Sequence, residues 1–144
     1  MNTNISDPFD IGRVIFAEPD RVFDAWVKPE LICKWLFVGP ASEIIRCEID
    51  LRVEGKFSIL ELEKTNNEYI DHYGKYIEID RPGKLAFTLS APKHFPGETT
   101  VSIKIVPTRE GSDLRLTQAG ISKDVTGESW NKMFTQLSLV LANP

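Results

Sequence analysis

The stretch TGESWNKMFTQLSLVLA, residues 126–142, decides how this chain is read. Its apolar residues are Trp130, Met133, Phe134, Leu137, Val140 and Leu141. Steps of three and four between them predict one side of a helix. Asn131, Lys132, Thr135, Gln136 and Ser138 make the opposite side polar. Thr126 or Asp124 is placed to cap the start, and Asn143-Pro144 ends the stretch. At ~1.5 Å per residue the helix is about 25 Å long. A helix with one apolar stripe needs a surface to lie on, so the rest of the chain is read for that surface.

The clearest part of it is residues 43–53. Ile45, Cys47, Ile49, Leu51 and Val53 alternate with Ile44, Arg46, Glu48, Asp50 and Arg52. Period two predicts a strand with one apolar face. Glu54-Gly55 turns the chain into a second strand, 56–63. There Phe57 and Ile59 take one face and Leu60 and Leu62 the other, which predicts a bulge near Ile59-Leu60 or cover on both sides. Further strands are expected at 69–80, at Leu85–Leu89, at 99–106 through Val101, Ile103 and Ile105, and at Leu114–Gln118. Residues 91–97, with Pro92 and Pro96, read as a loop.

Upstream, Ile11–Ala17 is a first strand, and Val14-Ile15-Phe16 predicts that it is well covered. Glu18-Pro19-Asp20 opens a short helix, since proline suits the first helical position and acids complement the dipole. Val22, Phe23 and Trp26 are its stripe. Lys28-Pro29 ends it, and Pro29 starts a second short helix through Leu31, Ile32 and Trp35. Residues 1–9 are expected to be loose, with one domain over 10–144. The order β-α-α-β-β-β-β-β-β-α predicts an α+β fold. Its six or seven antiparallel strands wrap around the long C-terminal helix.

Bulk properties exclude several functions. Net charge is −4 with no basic run, which argues against nucleic acid and anionic membrane as partners. The apolar runs are short of a bilayer span, and the N-terminus lacks a signal-peptide shape, so a cytoplasmic location is expected. Cys33 and Cys47 lack metal-like spacing and read as small core residues.

Several segments, in order, resemble one family. Ala17-Glu-Pro-Asp-Arg-Val-Phe23 is similar to its opening strand-to-helix turn, and Lys28-Pro29-Glu30 with Trp35 to the segment after it. Asp50-Leu-Arg-Val-Glu-Gly-Lys-Phe57 resembles its DxRxGGxF hairpin. Gly74–Asp80 with Pro82 and Leu85-Ala-Phe-Thr88 resembles its next hairpin, and Leu114-Arg-Leu-Thr-Gln-Ala-Gly120 its LxLTHEG strand. Trp130 with Leu137 matches the closing helix. The chain thus resembles, over about residues 10–142, proteins related to the activator of the heat-shock-protein-90 ATPase. These belong to the START-related, birch-pollen-allergen-like superfamily. The resemblance implies the helix-grip fold and a cavity between sheet and helix. Glu54 stands where the family often has glycine, Gln118-Ala119 replaces its His-Glu pair, and Gly127 is further from Trp130 than usual.

The chemistry-bearing residues are sparse. A catalytic triad needs a histidine beside Ser or Cys. The two histidines, His72 and His94, lie apart in sequence and read as surface groups. Two separated His and two separated Cys do not make a metal site, so no metal, no cofactor and no catalytic residue is assigned. Glu48/Asp50, with Arg46 and Arg52 on the same face, read as a solvated charge-paired surface; Glu61/Glu63 form a second pair. The aromatics are the more informative set. Phe57, Phe87, Trp130 and Phe134 either fill a core or wall a pocket under the helix. Trp35 and Phe37 either pack the short helices or line the mouth. Gln118 shares parity with Leu114 and Leu116 and is expected to point inward; Tyr73 is preferred over Tyr76 as an inward hydroxyl.

The expected function is a binding module for a small apolar or aromatic molecule, held by those eight residues. An enzyme of cyclase-like or hydrolase-like type on the same cavity, or a protein-interaction module, is the alternative. A chaperone partner is discounted, because the resemblance covers one domain only. A homodimer through sheet edges or helix faces is left open by the sequence.

Overall fold

The computed structural model describes residues 8–37 and 39–142, so the expectation for 1–9 falls mostly outside the described residues. Among these the order is β1 (Phe9–Ile15), α1 (Pro19–Val27), α2 (Pro29–Ile32), β2 (Ser42–Ile49) and β3 (Lys56–Glu63). Then follow β4 (Glu68–Asp80), β5 (Lys84–Leu89), β6 (Thr99–Pro107), β7 (Ser112–Ala119) and α3 (Lys123–Leu141). The strands form one antiparallel sheet in the order β1-β7-β6-β5-β4-β3-β2. This is the α+β helix-grip arrangement. The sheet's inner face meets α3, and α1 and α2 close one end.

α3 begins a turn earlier than expected. Ser122, not Thr126 or Asp124, is its cap, its hydroxyl accepting the Asp124 N–H at 3.1 Å. Thr126 is buried inside the first turns. Trp130, Met133, Phe134, Leu137 and Leu141 form the buried stripe, as their spacing predicts. At the other end Arg21 donates to the Leu141 carbonyl at 3.0 Å, satisfying one terminal acceptor. Arg13 of β1 donates to the Asn131 side chain at 2.7 Å and ties the edge strand to α3.

The short helices follow the sequence closely. Pro19 opens α1, and Val22, Phe23 and Trp26 are buried. Arg81 pairs with Asp20 and Asp24 and lies 4.6 Å over the Phe23 ring, fixing α1 to the turn after β4. α2 stops at Ile32, short of Trp35, which sits in the following turn but is fully buried.

Three local expectations are corrected. β1 is an edge strand, so Val14 and Phe16 are exposed and only Ile15 of that run is buried. β2 ends at Ile49, leaving Leu51 and Val53 exposed in the turn. The irregularity expected in β3 lies in its partner: the β2 register shifts between Ile44 and Arg46, and Ile45 turns outward. β3 itself keeps period two, with Phe57, Ile59 and Glu61 buried. β4 is pinched at Gly74, where an added Cβ would lie 1.9 Å from the Thr88 carbonyl oxygen. It shifts register again between Tyr76 and Glu78. No helix among the described residues is long and apolar enough to cross a membrane.

Candidate functional site

The space between sheet and α3 has two unlike ends. At the α1 end Trp26, Phe57, Tyr76 and Phe87 close in with Trp130 and leave about 20 Å³, room for roughly one water. Phe57 and Phe87 meet edge to face at 5.4 Å, and Trp26 and Trp130 lie 6.0 Å apart. At the other end a cleft of about 310 Å³ opens to solvent. That volume is at the small end of organic-ligand sites. Its apolar walls are Phe37, Leu89, Phe95, Ile121, Trp130 and Met133, and its polar walls include Glu61, His72, His94, Gln118 and Ser129.

The ionisable group in it comes from β3 and β4. His72 pairs with Ile59 and Glu61 with Ile70, so Glu61 and His72 are diagonal neighbours on the inner face. Glu61 is 5% exposed and His72 is 1% exposed. The Glu61 carboxylate Oε1 lies 2.8 Å from His72 Nε2 and 3.6 Å from His94 Nε2. His94 reaches in from the β5–β6 loop with its side chain 43% exposed. Phe37 stacks on His72 at 3.6 Å between centroids, nearly parallel. Its backbone is in the left-handed region at φ 58, strain that a non-glycine residue keeps only when its surroundings hold it there. One such contact is its N–H on Met133 Sδ at 3.3 Å.

The charges follow from the geometry. Burial alone would raise the Glu61 pKa. The hydrogen bond with His72, helped by the nearby His94 and Ser42, overcomes burial and holds the carboxyl well below its usual range. Burial lowers the His72 pKa against the opposing pull of Glu61 and so favours the neutral ring. His72 Nδ1 is buried with no hydrogen-bond partner among the described residues. A proton on Nε2, donated to Glu61, therefore leaves no buried N–H stranded. The Glu61 carboxylate close by raises the His94 pKa.

Gln118 points inward as expected, yet its groups are mostly committed. Its Oε1 accepts from Thr126 Oγ1 and Trp130 Nε1, each at 2.8 Å, and its Nε2 donates to Thr99 Oγ1 at 3.0 Å. Thr99 passes the chain on to the Leu89 carbonyl at 2.8 Å. Both acceptor sites are used, and one N–H remains for anything in the cleft.

The other residues singled out in the sequence divide three ways. Phe37, Gln118 and Trp130 line the open cleft. Phe57 and Phe87 belong to the packed end. Trp35 and Phe134 are core: Trp35 Nε1 donates to the Ala25 carbonyl at 2.9 Å and its ring meets Trp26 edge-on, while Phe134 sits under α3. Tyr73 is corrected. It is 43% exposed on the outer face, and Tyr76, at 4%, is the inward tyrosine. The β4 inner face runs Ile70, His72, Gly74, Tyr76, which excludes Tyr73 by parity. Neither cysteine is in a disulfide, and burial pushes the Cys47 thiol up to about 11, away from reactive thiolate.

Glu61, His72 and His94 escaped the sequence reading, which placed both histidines on the surface. A signal was present: Glu61 shares parity with Phe57 and Ile59, and His72 with Ile70 and Tyr76.

The sequence profile of the family described as activator of Hsp90 ATPase homolog 1-like protein matches residues 17–142. The chain belongs to this family. Its helix-grip fold is shared by solved structures of low identity. A Chromobacterium violaceum protein is 22% identical with a TM-score of 0.84, covering 96% of this chain and 99% of that one. A Nitrosomonas europaea protein is 20% identical with a TM-score of 0.82, covering 97% of each chain. An AHSA1-like protein from Aeromonas hydrophila is 17% identical with a TM-score of 0.79, covering 94% and 92%. No curated protein matches the sequence. As a member of this family, the chain has a fold suited to binding ligands in general.

Proposed function

We propose that the protein binds a small organic molecule in the cleft beside α3. An apolar, preferably aromatic body lies against Phe37, Leu89, Trp130 and Met133, and a hydrogen-bond donor turns toward Glu61. The observation that carries this reading is the cleft itself: about 310 Å³ of space with an apolar wall and one buried carboxylate at its inner end. Desolvating the body supplies most of the affinity, and the carboxylate selects the polar end. Glu61, rather than Gln118 or Tyr73, is the orienting group, because Gln118 is committed to Thr126, Trp130 and Thr99.

Native mass spectrometry of freshly purified protein, with solvent extraction, gives the first test. Titrations followed by tryptophan fluorescence, to which Trp130 in the cleft contributes, give the second. Metal-free protein is expected to take aromatic amines or alcohols in preference to aromatic carboxylates of equal size, since a buried carboxylate repels an anion. Equal binding of both classes, or none of either, overturns the reading.

Catalysis is a second reading, favoured by one observation. His94 at the mouth lies 3.6 Å from the Glu61 carboxylate, a pairing that on closing slightly orients an imidazole as a general base. Deuterium exchange at an acidic C–H of a bound molecule, abolished in His94→Ala, would support it; exchange equal to solvent background counts against it.

A further inference from the structure

We propose that Glu61, His72 and His94 form a binding site for a divalent transition-metal ion of the zinc class, at the inner end of the cleft. The site stands on these three side chains and not on the organic-ligand reading.

The ligand atoms of the three residues all lie within 4.8 Å of one another. Tetrahedral zinc, with bonds of about 2.0–2.2 Å, sets its ligand atoms roughly 3.3 Å apart. The Glu61–His94 separation of 3.6 Å is close to that, and the Glu61–His72 separation of 2.8 Å has only to open slightly. His94 is the adjustable member, on a loop and half exposed, whereas Glu61 and His72 are held on adjacent strands. An ion would take the place of the proton now shared by Glu61 and His72. All three residues line the cleft, so the fourth position faces open space, as in a site that can accept a further ligand.

The donor set selects the ion. Two imidazoles and one carboxylate suit zinc, cobalt, nickel or ferrous iron, and not magnesium or calcium, which require oxygen ligands. A ligating imidazole must be neutral and a ligating carboxyl ionised, so the ion competes with protons for these three side chains and binds more weakly as pH falls. One feature sets the strength. With the ion on Nε2, the His72 proton moves to Nδ1, which has no acceptor among the described residues. Such outer contacts contribute about 10–100-fold in affinity, so the site is expected to bind that much more weakly than one whose imidazoles are both hydrogen-bonded on the far nitrogen.

A bound ion also inverts the sign at the end of the cleft. Glu61 alone repels carboxylates; a divalent ion over one carboxylate leaves a net positive charge and attracts them.

The test is a Co2+ titration of tag-free protein first stripped with chelator, followed by visible d–d absorption and elemental analysis. One Co2+ per chain is expected, displaced by Zn2+ and not by a large excess of Mg2+. His94→Ala should bind at least about 10-fold more weakly, and Glu48→Gln, on the exposed face of β2, should bind as the parent does. His94 is on a loop, so its variant keeps the fold, checked by circular dichroism. Glu61→Gln supplies a second loss within the cluster. Substoichiometric Co2+, or binding unchanged in His94→Ala, overturns the proposal. Either result is read without any organic molecule, so it leaves the ligand reading to its own titration.

Discussion

The two ends of the space under α3 are built from the same two strands. Read along β3, the inward residues are Phe57, Ile59 and Glu61; along β4 in the opposite sense they are Tyr76, Gly74 and His72. Within a few residues the wall passes from aromatic to ionisable. At the first end, rings at 5–6.5 Å leave about 20 Å³. At the second, a charged carboxylate and two imidazoles border about 310 Å³. Apolar side chains gain from closing every gap between them. An ionised group keeps its stability by retaining hydrogen bonds and access to polar partners. One end is packed shut by aromatic rings, and the other keeps a solvent-open cleft beside its ionisable groups.

That division can be broken by measurement. Trp130 touches both ends, and Trp130→Ala should cost about 3–5 kcal/mol, read from urea unfolding. A loss under about 1 kcal/mol would remove the packed end as the source of stability. Gln118→Ala comes next, at about 2–3 kcal/mol, because it strands the buried Trp130 N–H and Thr126 hydroxyl. If Gln118→Ala instead weakened ligand binding while leaving the denaturation midpoint in place, Gln118 would belong to the open end.

Two smaller effects sharpen the boundary. Glu54 is in the left-handed region at φ 71, and its N–H bonds the carbonyl of Tyr76 at the packed end at 2.8 Å. Glu54→Gly should therefore stabilise by about 0.5–1 kcal/mol, the relief of side-chain strain less the added chain entropy. This is the position where the family often has glycine, and its backbone gives the reason. A lower thermal midpoint in Glu54→Gly would show that the Lys75–Glu54 ion pair at 3.0 Å outweighs the strain. The smallest change is expected from His94→Ala, within about 0.5 kcal/mol, since His72 still bonds Glu61 at 2.8 Å. A larger loss would mean that the open end also carries the fold.

Most of the architecture was legible because it rests on periodicity. The α3 stripe, the Pro19 and Pro29 helix starts and the alternation through Val101, Ile103 and Ile105 each appear in the structure as the spacing implies. The errors lie where period two breaks. The shift between Ile44 and Arg46 put Ile45 on the wrong face, and parity shared with Ile77 and Ile79 put Tyr73 inside, although Ile77 is exposed and only Ile79, beyond the shift after Tyr76, packs on the core. A bulge changes which face a residue occupies without changing its composition, so alternation carries little mark of it.

By itself the sequence determined the element order, the apolar face of α3, the inward turn of Gln118 and the family. Each of these depends on neighbours in the chain or on a pattern that survives without coordinates. The tertiary structure alone decided that His94, from the β5–β6 loop, meets Glu61 of β3 and His72 of β4. Such a meeting depends on strand register and loop closure, which bring together residues 11 to 33 positions apart in the chain. It also decided where the space lies. The rings at one end are of a size to fill it, and the carboxylate and imidazoles at the other cluster beside a cleft that stays open to solvent.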